Sequence, residues 1–335
     1  MQAIVQHRYG PTSVLTLAEV PTPAPGLGEV LVRVHAASLH PDVWHATSGR
    51  PYVLRIMGSG VRRPKQPIPG TDIAGRVEAV GPGVTRFQPG DDVFGGTLVG
   101  HQWRNAGAFA EYVAVREAAL APKPESVDFA HAAAVPTSAF IALACLRDQG
   151  RVRAGQRVLV NGAGGGVGMY AVQLASAFGA HVTAVDTTSK QVMLRTLGAD
   201  VVVDYTTEDF TQGAGRYDLI VDIPGNHRLA DLRRVITPDG TYVLVGDDNY
   251  GTGVGAILGG MGPELKLMAL SPFLKQVPGL RMTKDDGTRL AELAALMTEG
   301  RLVSVVDRTF PLADVADSLD YLASGRAVGK VVLTV

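Results

Sequence analysis

The sequence predicts an α/β protein in two parts, a β-rich opening third followed by a parallel sheet with helices packed on it. Two observations carry that prediction. The first 120 or so residues hold alternating strands broken by tight Gly- and Pro-containing turns. From about Ser126, short apolar strands alternate with helical runs, the pattern of right-handed βαβ units. A length of 335 residues agrees with two domains at roughly 100–200 residues each.

The elements follow in order. Val30–Ser38 and Ala74–Gly81 alternate as strands, and the latter runs into the turns GPGV and FQPGDDVFG. Pro21, Pro23 and Pro25 mark a loop. Arg157–Val160 reads as a strand and Gly166–Gly179 as a helix closed by its final glycine. His181–Val185 is a second strand, Ser189–Ala199 a second helix and Asp200–Tyr205 a third strand. Asp218–Ile223 and Thr241–Gly246 are two more strands. Gly251–Gly262 is apolar and glycine-rich, and its pattern fits a loop or a packed edge equally well. The tail holds a helix from Leu290 closed by Gly300, a second around Val315–Ser324 and a last strand, Lys330–Val335.

Composition narrows the function. With 46% hydrophobic and 19% charged residues, the chain reads as a folded globular enzyme and not as a disordered one. Basic and acidic residues balance at 31 and 32, so no basic stripe exists to neutralise phosphates and nucleic-acid binding is excluded. The single cysteine, Cys145, excludes a disulfide framework and a thiolate-rich zinc site. The longest apolar run, Ala130–Leu146, is broken by His131, Pro136, Thr137 and Ser138. It is shorter than the ~20 residues of a membrane span. No basic-then-apolar leader is read at the N-terminus. A cytoplasmic enzyme with no membrane partner is expected.

Asn161-Gly-Ala-Gly-Gly-Gly-Val-Gly168 lies between a predicted strand and a predicted helix. Glycine is needed there to turn the strand sharply, to bring backbone amides against a pyrophosphate and to pack the helix closely. Gly162, Gly165, Gly166, Val167 and Gly168 are therefore candidate cofactor residues, with helix-start N–H groups facing the anion. Asp186 ends the second strand 18 residues after Gly168. An acidic residue there suits the ribose 2′-OH of NAD. Thr187, Thr188 and Lys190 follow at once, and offer the donors and charge that a 2′-phosphate wants. The residues alone leave both cofactors open.

The motifs together resemble the zinc-independent quinone oxidoreductase (zeta-crystallin-like) branch of the medium-chain dehydrogenase/reductase superfamily. The matching pieces run from end to end. They are the opening hairpin, Ile68-Pro-Gly-Thr-Asp-Ile-Ala-Gly75, Val80 through Phe94, Gly107-Ala-Phe-Ala-Glu-Tyr112, Gly164–Gly168, Leu197-Gly-Ala-Asp200, Val203-Asp-Tyr205 and Gly329-Lys-Val-Val332. The resemblance implies a GroES-like β-rich catalytic domain plus a Rossmann doubly wound parallel-sheet domain. It sets the boundaries at 1–124 for the first part of the catalytic domain, 125–269 for the Rossmann domain and 270–335 for the return. It also implies a homodimer.

The resemblance further implies chemistry without metal. Zinc members carry a Cys before the position of Val43 and a His-Glu pair after Gly70, where this chain has Thr71 and Asp72. His35, His40, His45 and His101 show no ligand pattern. In this branch a Lys after the second strand and a Tyr after the third hold a 2′-phosphate, and Lys190 and Tyr205 fall on those positions. NADPH is thus expected in preference to NADH, with Asp186 arguing the other way. Asn226 and Gly246, at strand ends, are expected to approach the nicotinamide and its ribose.

At the reacting centre the branch's Asn-x-x-Asp reads His40-Pro-Asp-Val43 here, with His45 two further on. A Thr near the nicotinamide in relatives aligns with Ile141, and Thr137 and Ser138 lie one turn earlier. The candidates for holding or protonating a quinone or enone substrate are His40, His45 and Tyr52. Two rival readings are an NAD(P)-dependent carbonyl or alcohol oxidoreductase and a non-catalytic NADPH-binding sensor. Residues 250–282 are expected to shape the substrate pocket or an interface between subunits.

Overall fold

The computed structural model describes residues 1–97, 106–246, 257, 262–272, 274–277 and 288–335. Apart from Ile257 and Gly262, the glycine-rich stretch Gly251–Gly262 lies outside the described residues, as does His101. The chain divides into two compact units. One takes in Met1–Thr137, Tyr250–Gly259 and Asp285–Val335; the other takes in Ser138–Asn249 and Gly260–Lys284.

The first unit opens with a hairpin of β1 (Gln2–Val5) and β2 (Thr16–Glu19). Its main sheet is built on β3 (Glu29–Ser38), which pairs antiparallel with β4 (Asp72–Val80). The sheet continues through β5 (Asp92–Gly96), while β6 (Tyr112–Arg116) pairs with the first half of β3 and β7 (Leu120–Pro122) with β5. Val30, Val32, Val34, Ile73, Val77 and Phe109 fill the core over this sheet. Between β3 and β4 sits α1 (Pro41–Ser48). Pro41 suits its first turn because the missing N–H would have had no helical partner there. His40 precedes it in an extended conformation, and Gly49 closes it in the left-handed region at φ 62°. After β7 come α2 (Phe129–Ala133) and α3 (Pro136–Leu143), in which the chain passes from one unit to the other.

The second unit is a five-stranded parallel sheet among the described residues. Its strands are β8 (Arg157–Asn161), β9 (His181–Asp186), β10 (Val201–Asp204), β11 (Tyr217–Asp222) and β12 (Ile236–Leu244). They lie in the order β10-β9-β8-β11-β12, so the strand order reverses between β8 and β11. This is the doubly wound arrangement, with its ligand crevice expected at that reversal. The connecting helices are α4 (Gly166–Ala177), α5 (Gln191–Thr196) and α6 (Leu229–Val235). β9 is buried along almost its whole length and does not alternate, as a strand covered on both faces must be. Leu159, Val185, Ile220, Leu232 and Val235 form a core of this unit.

Two elements differ from the sequence expectation. The helix expected over Ser189–Ala199 is a tight turn at Thr188–Lys190 followed by the shorter α5. The Thr188 hydroxyl is bonded to Asp204 and Lys190 to Asp186, and these side-chain ties set the backbone into a turn before the helix begins. β12 starts five residues before the expected Thr241, because Thr237–Gly240 bulges out of register between the pairs Tyr217↔Ile236 and Leu219↔Thr241.

The chain then passes through α7 (Gly262–Leu270) and α8 (Thr288–Thr298). It returns to the first unit's sheet with β13 (Val306–Pro311), α9 (Val315–Ala323) and β14 (Lys330–Thr334). β14 pairs parallel with β13 and antiparallel with the second half of β3. Among the described residues no helix is long and apolar enough to cross a membrane.

Cys145 is buried, and burial followed by the charge of Asp148 pushes its thiol up to about 12. The native protein should therefore show no thiol reactive toward a disulfide reagent at pH 7.5, and guanidinium should release one. A rapidly titrating native thiol would contradict this burial.

Candidate active site and cofactor cradle

The glycine turn in the second unit joins β8 to α4 and is held tightly by backbone contacts. Gly162 and Ala163 both donate their N–H groups to the Val185 carbonyl (3.1 Å each), which ties the turn to the end of β9. Gly162 takes φ 78°, a conformation that side chains disfavour. A Cβ on Gly168 would stand 2.2 Å from the Gly162 carbonyl oxygen and 2.6 Å from Ala163 Cα, so only glycine lets the helix pack this close. The first helical bond runs from the Met169 N–H to the Gly165 carbonyl (3.0 Å). The amides of Gly166, Val167 and Gly168 thus precede the helical ladder at its positive end, where a pyrophosphate would find its donors.

Asp186 faces this turn and is nearly buried, at 5% exposed. Its Oδ2 accepts from the Gly164 N–H (2.7 Å) and its Oδ1 from the Thr187 N–H (2.8 Å). Lys190 Nζ lies 3.2 Å from Oδ1, with 12% of the side chain exposed. Asp186, Thr187 and Lys190 therefore come together on the cradle, and the carboxylate's charge is balanced within the protein. Thr188 turns instead to Asp204. The hydroxyls of Thr188 and then Thr206, with the Thr206 amide (2.9 Å), hold the Asp204 carboxyl below the usual carboxylate range. Tyr205, next in the chain, is 57% exposed just beyond β10.

At the strand-order reversal a second polar group assembles. Asn161 Nδ2 donates to Asp222 Oδ1 (2.9 Å) and to Asn226 Oδ1 (3.3 Å). The Tyr242 hydroxyl donates to Asp222 Oδ2 (2.8 Å) and the Gly225 N–H to Asp222 Oδ1 (3.1 Å). Asn226 is thus fixed beside the cradle through Asn161. Gly246 follows β12 with nothing closer than 3.6 Å to a notional Cβ.

The reacting-centre candidates lie in the first unit and separate from one another. His40 is 6% exposed, and its Nε2 is 2.7 Å from the Thr71 hydroxyl. His40 Nδ1 is buried 3.3 Å from Asp42 Oδ2, an ion pair when the ring is protonated, and has no well-aligned hydrogen bond among the described residues. Burial raises the Asp42 carboxyl, but the His40 imidazole, His45 and Lys330 outweigh it and leave the group below the usual carboxylate range. His45 donates Nδ1–H to the Arg50 carbonyl (2.8 Å), which leaves only its Nε2 for any other contact. Tyr52 stacks on the Arg55 guanidinium (4.5 Å), whose charge also sits over Tyr9 (4.3 Å). Arg55 Nε is bound to the Gly49 carbonyl (2.8 Å), so Tyr52 is packed at the end of α1 and stays 41% exposed.

Sequence reasoning missed the centre of this cluster. Asp72 is fully buried and accepts from the Ser38 hydroxyl (3.4 Å), the Thr71 hydroxyl (3.2 Å), the Thr137 N–H (3.1 Å) and the Thr137 hydroxyl (2.5 Å). Thr137, one turn before Ile141, is committed to that carboxylate. Lys330, at 2% exposed, donates Nζ–H to the Leu39 carbonyl (2.7 Å). Burial pushes it down to about 8 against the opposing pull of Asp72 and Asp42. Both residues stood inside quoted motifs, Ile68–Gly75 and Gly329–Val332. A charged residue within an apolar strand pattern was the available signal. Among the described residues no three His, Cys, Asp or Glu side chains group to hold a metal ion.

Comparison with known proteins adds to this geometry. Residues 26–125 match the alcohol dehydrogenase GroES-like domain, and residues 197–333 match the zinc-binding dehydrogenase family. The NADPH-dependent alkenal/one oxidoreductase of Arabidopsis thaliana, a chloroplastic protein, is 33% identical over 99% of this chain and 79% of its own length. The human quinone oxidoreductase is 29% identical over 99% of this chain and 97% of its own. The crystal structure of an NAD-dependent alcohol dehydrogenase superposes with a TM-score of 0.82 at 30% identity, covering 100% of both chains.

Gly168→Ala should weaken dinucleotide binding and lower stability by about 1–3 kcal/mol, the usual cost of overpacking. Thermal unfolding with and without cofactor checks both effects, and an unchanged variant would contradict the close packing. Lys330 binds its proton less tightly folded (about 8) than at its ordinary 10.5. Below pH 8 both states hold the proton and the burial cost is complete. Between pH 8 and 10.5 the unfolded state holds more protons, so stability rises with pH. Wild type should gain on Lys330→Met in this window by up to ~1.4 kcal/mol per pH unit. Urea titrations at pH 8 and pH 10 read the difference, and parallel stabilities would contradict it.

Proposed function

The chain belongs to the medium-chain dehydrogenase/reductase superfamily, and from that membership we propose an NADPH-dependent oxidoreductase that needs no metal and transfers hydride to a quinone or an α,β-unsaturated carbonyl. The relatives named above are called an NADPH-dependent alkenal/one oxidoreductase and a quinone oxidoreductase. The second unit supplies the dinucleotide cradle, with the pyrophosphate on the amides of Gly166–Gly168 and the nicotinamide end toward Asn226 and Gly246. Bound there, the reduced nicotinamide supplies the hydride.

The observation that carries the choice of NADPH is the Asp186–Lys190 pair. Both Asp186 oxygens are already taken, by Gly164 on one side and by Thr187 and Lys190 on the other. A ribose 2′-OH would have to displace one of these donors. With its charge balanced, Asp186 no longer repels a 2′-phosphate, and Lys190 with the exposed Tyr205 offers that phosphate a cation and a hydroxyl. The alternative, an oxidoreductase of simple alcohols or carbonyls, is supported by the name of the superposed alcohol dehydrogenase. It asks for a strong donor at the carbonyl oxygen. In the first unit His40 is the side chain we assign to receive the developing charge, because among the described residues its buried Nδ1 has no hydrogen-bond partner.

Fluorescence titration with NADPH and NADH, then NADPH oxidation with a panel of quinones and enones, tests the reading. NADPH should bind more tightly, and turnover should exceed the enzyme-free control. Lys190→Ala should raise KM for NADPH by about 10–100-fold, the ~1.5–3 kcal/mol of a charge-assisted hydrogen bond. A preference for NADH, or an unchanged KM, would show that Asp186 governs the cofactor. Tight binding with no turnover would favour a sensor.

A further inference from the structure

The first unit contains a buried polar chain that the reading above does not use: Asp72 and Thr71, leading to His40. Each link has a direction. All four contacts to the Asp72 carboxylate come from donors, the hydroxyls of Ser38, Thr71 and Thr137 and the Thr137 amide. Lys330 adds a buried cation to the same neighbourhood. Thr71 has one hydroxyl proton, and the charged acceptor beside it is Asp72. With that proton directed to Asp72, the Thr71 oxygen accepts from His40, so Nε2 carries a hydrogen. Nδ1 is left buried, without a hydrogen-bond partner and beside the Asp42 carboxylate.

We propose that Thr71 and Asp72 are positioning residues that pin the Nε2–H of His40, so that Nδ1 is the atom that delivers a proton to the reduced acceptor. This rests on the reading of His40 as the group that meets the developing charge. The step balances. Hydride adds to the electron-poor carbon and forms its C–H bond, and the displaced electron pair moves to the acceptor oxygen. The Nδ1–H bond of the imidazolium breaks, and its proton goes to that oxygen or to the adjacent carbon. His40 is left neutral with Nε2–H still held by Thr71, and Nδ1 regains a proton from water. The charged groups around the ring are Asp42 on α1, Asp72 on β4 and Lys330 on β14, with His45 acting on Asp42.

The test is 15N NMR of the full-length protein labelled at histidine, titrated from acid to alkaline pH, with His40 assigned by His40→Gln. The neutral ring should show hydrogen on Nε2 and a bare Nδ1. Thr71→Val should populate both tautomers, and Thr71→Ser should restore one. In turnover, Thr71→Val should lower kcat about tenfold, part of the ~100-fold or more that a placed acid supplies. KM for NADPH should stay unchanged, and Thr71→Ser should recover the loss. A neutral wild-type ring with its hydrogen on Nδ1 overturns the proposal, even if Thr71→Val does not fold. So does a tautomer indifferent to Thr71→Val. If the tautomer behaves as expected but His40→Ala keeps full turnover, His40 is not the acid, while the anchoring stands. If His40→Ala is inactive and the tautomer ignores Thr71, the acid stands and the anchoring falls.

Discussion

One fully buried carboxylate organises the first unit. Asp72 gathers donors from Ser38 at the end of β3, from Thr71 beside it and from Thr137 at the start of α3, with the Lys330 cation of β14 close by. A charge in an apolar interior is costly unless its partners are in place, and removing one partner is worse than never having buried the charge. The packing of four elements therefore has little freedom. Lys330 also holds the Leu39 carbonyl, one residue before His40, so the chain enters α1 along a path set by this centre. The placement of His40 is a consequence of that path.

The second unit uses the same physics toward a different end. Asp186 is a nearly buried carboxylate held by the amides of Gly164 and Thr187 and by Lys190. Here the charge braces a loop: the glycine turn is drawn onto the end of β9 by bonds from its own backbone. The acidic residue that signals a ribose contact in an isolated motif is spent here on bracing the turn. Its neighbour Lys190 has a charge that serves Asp186 in this structure and that a phosphate could share. In the NADPH reading proposed above, specificity for one nicotinamide cofactor is a competition between two anions for one cation.

The layout of the second unit was legible because its signals are local. Strands such as Arg157–Asn161 and His181–Asp186 are short apolar runs bounded by turn residues, and Gly166–Gly179 carries its own stop. Gly162 and Gly168 declare themselves, since a backbone that must take positive φ or approach another backbone admits one residue type. The early start of β12 was hidden, because Pro238-Asp-Gly240 has the composition of a turn and bulges within the strand instead.

The candidate site divides along the same line. Sequence by itself determined the two-part α/β architecture, the glycine cradle and the positions that crowd around it, because each depends on neighbours within some 20 residues of chain. Tertiary structure alone decided that Asp186 and Lys190 neutralise each other. It alone decided that Tyr52 stacks on Arg55, and that His40 meets Thr71 through one nitrogen and leaves the other without a hydrogen bond. Asp72 and Lys330 are separated by more than 250 residues and share one buried neighbourhood. The cost of burying a charge forces such partners together, and no pattern along the chain records which distant residue will come to balance it.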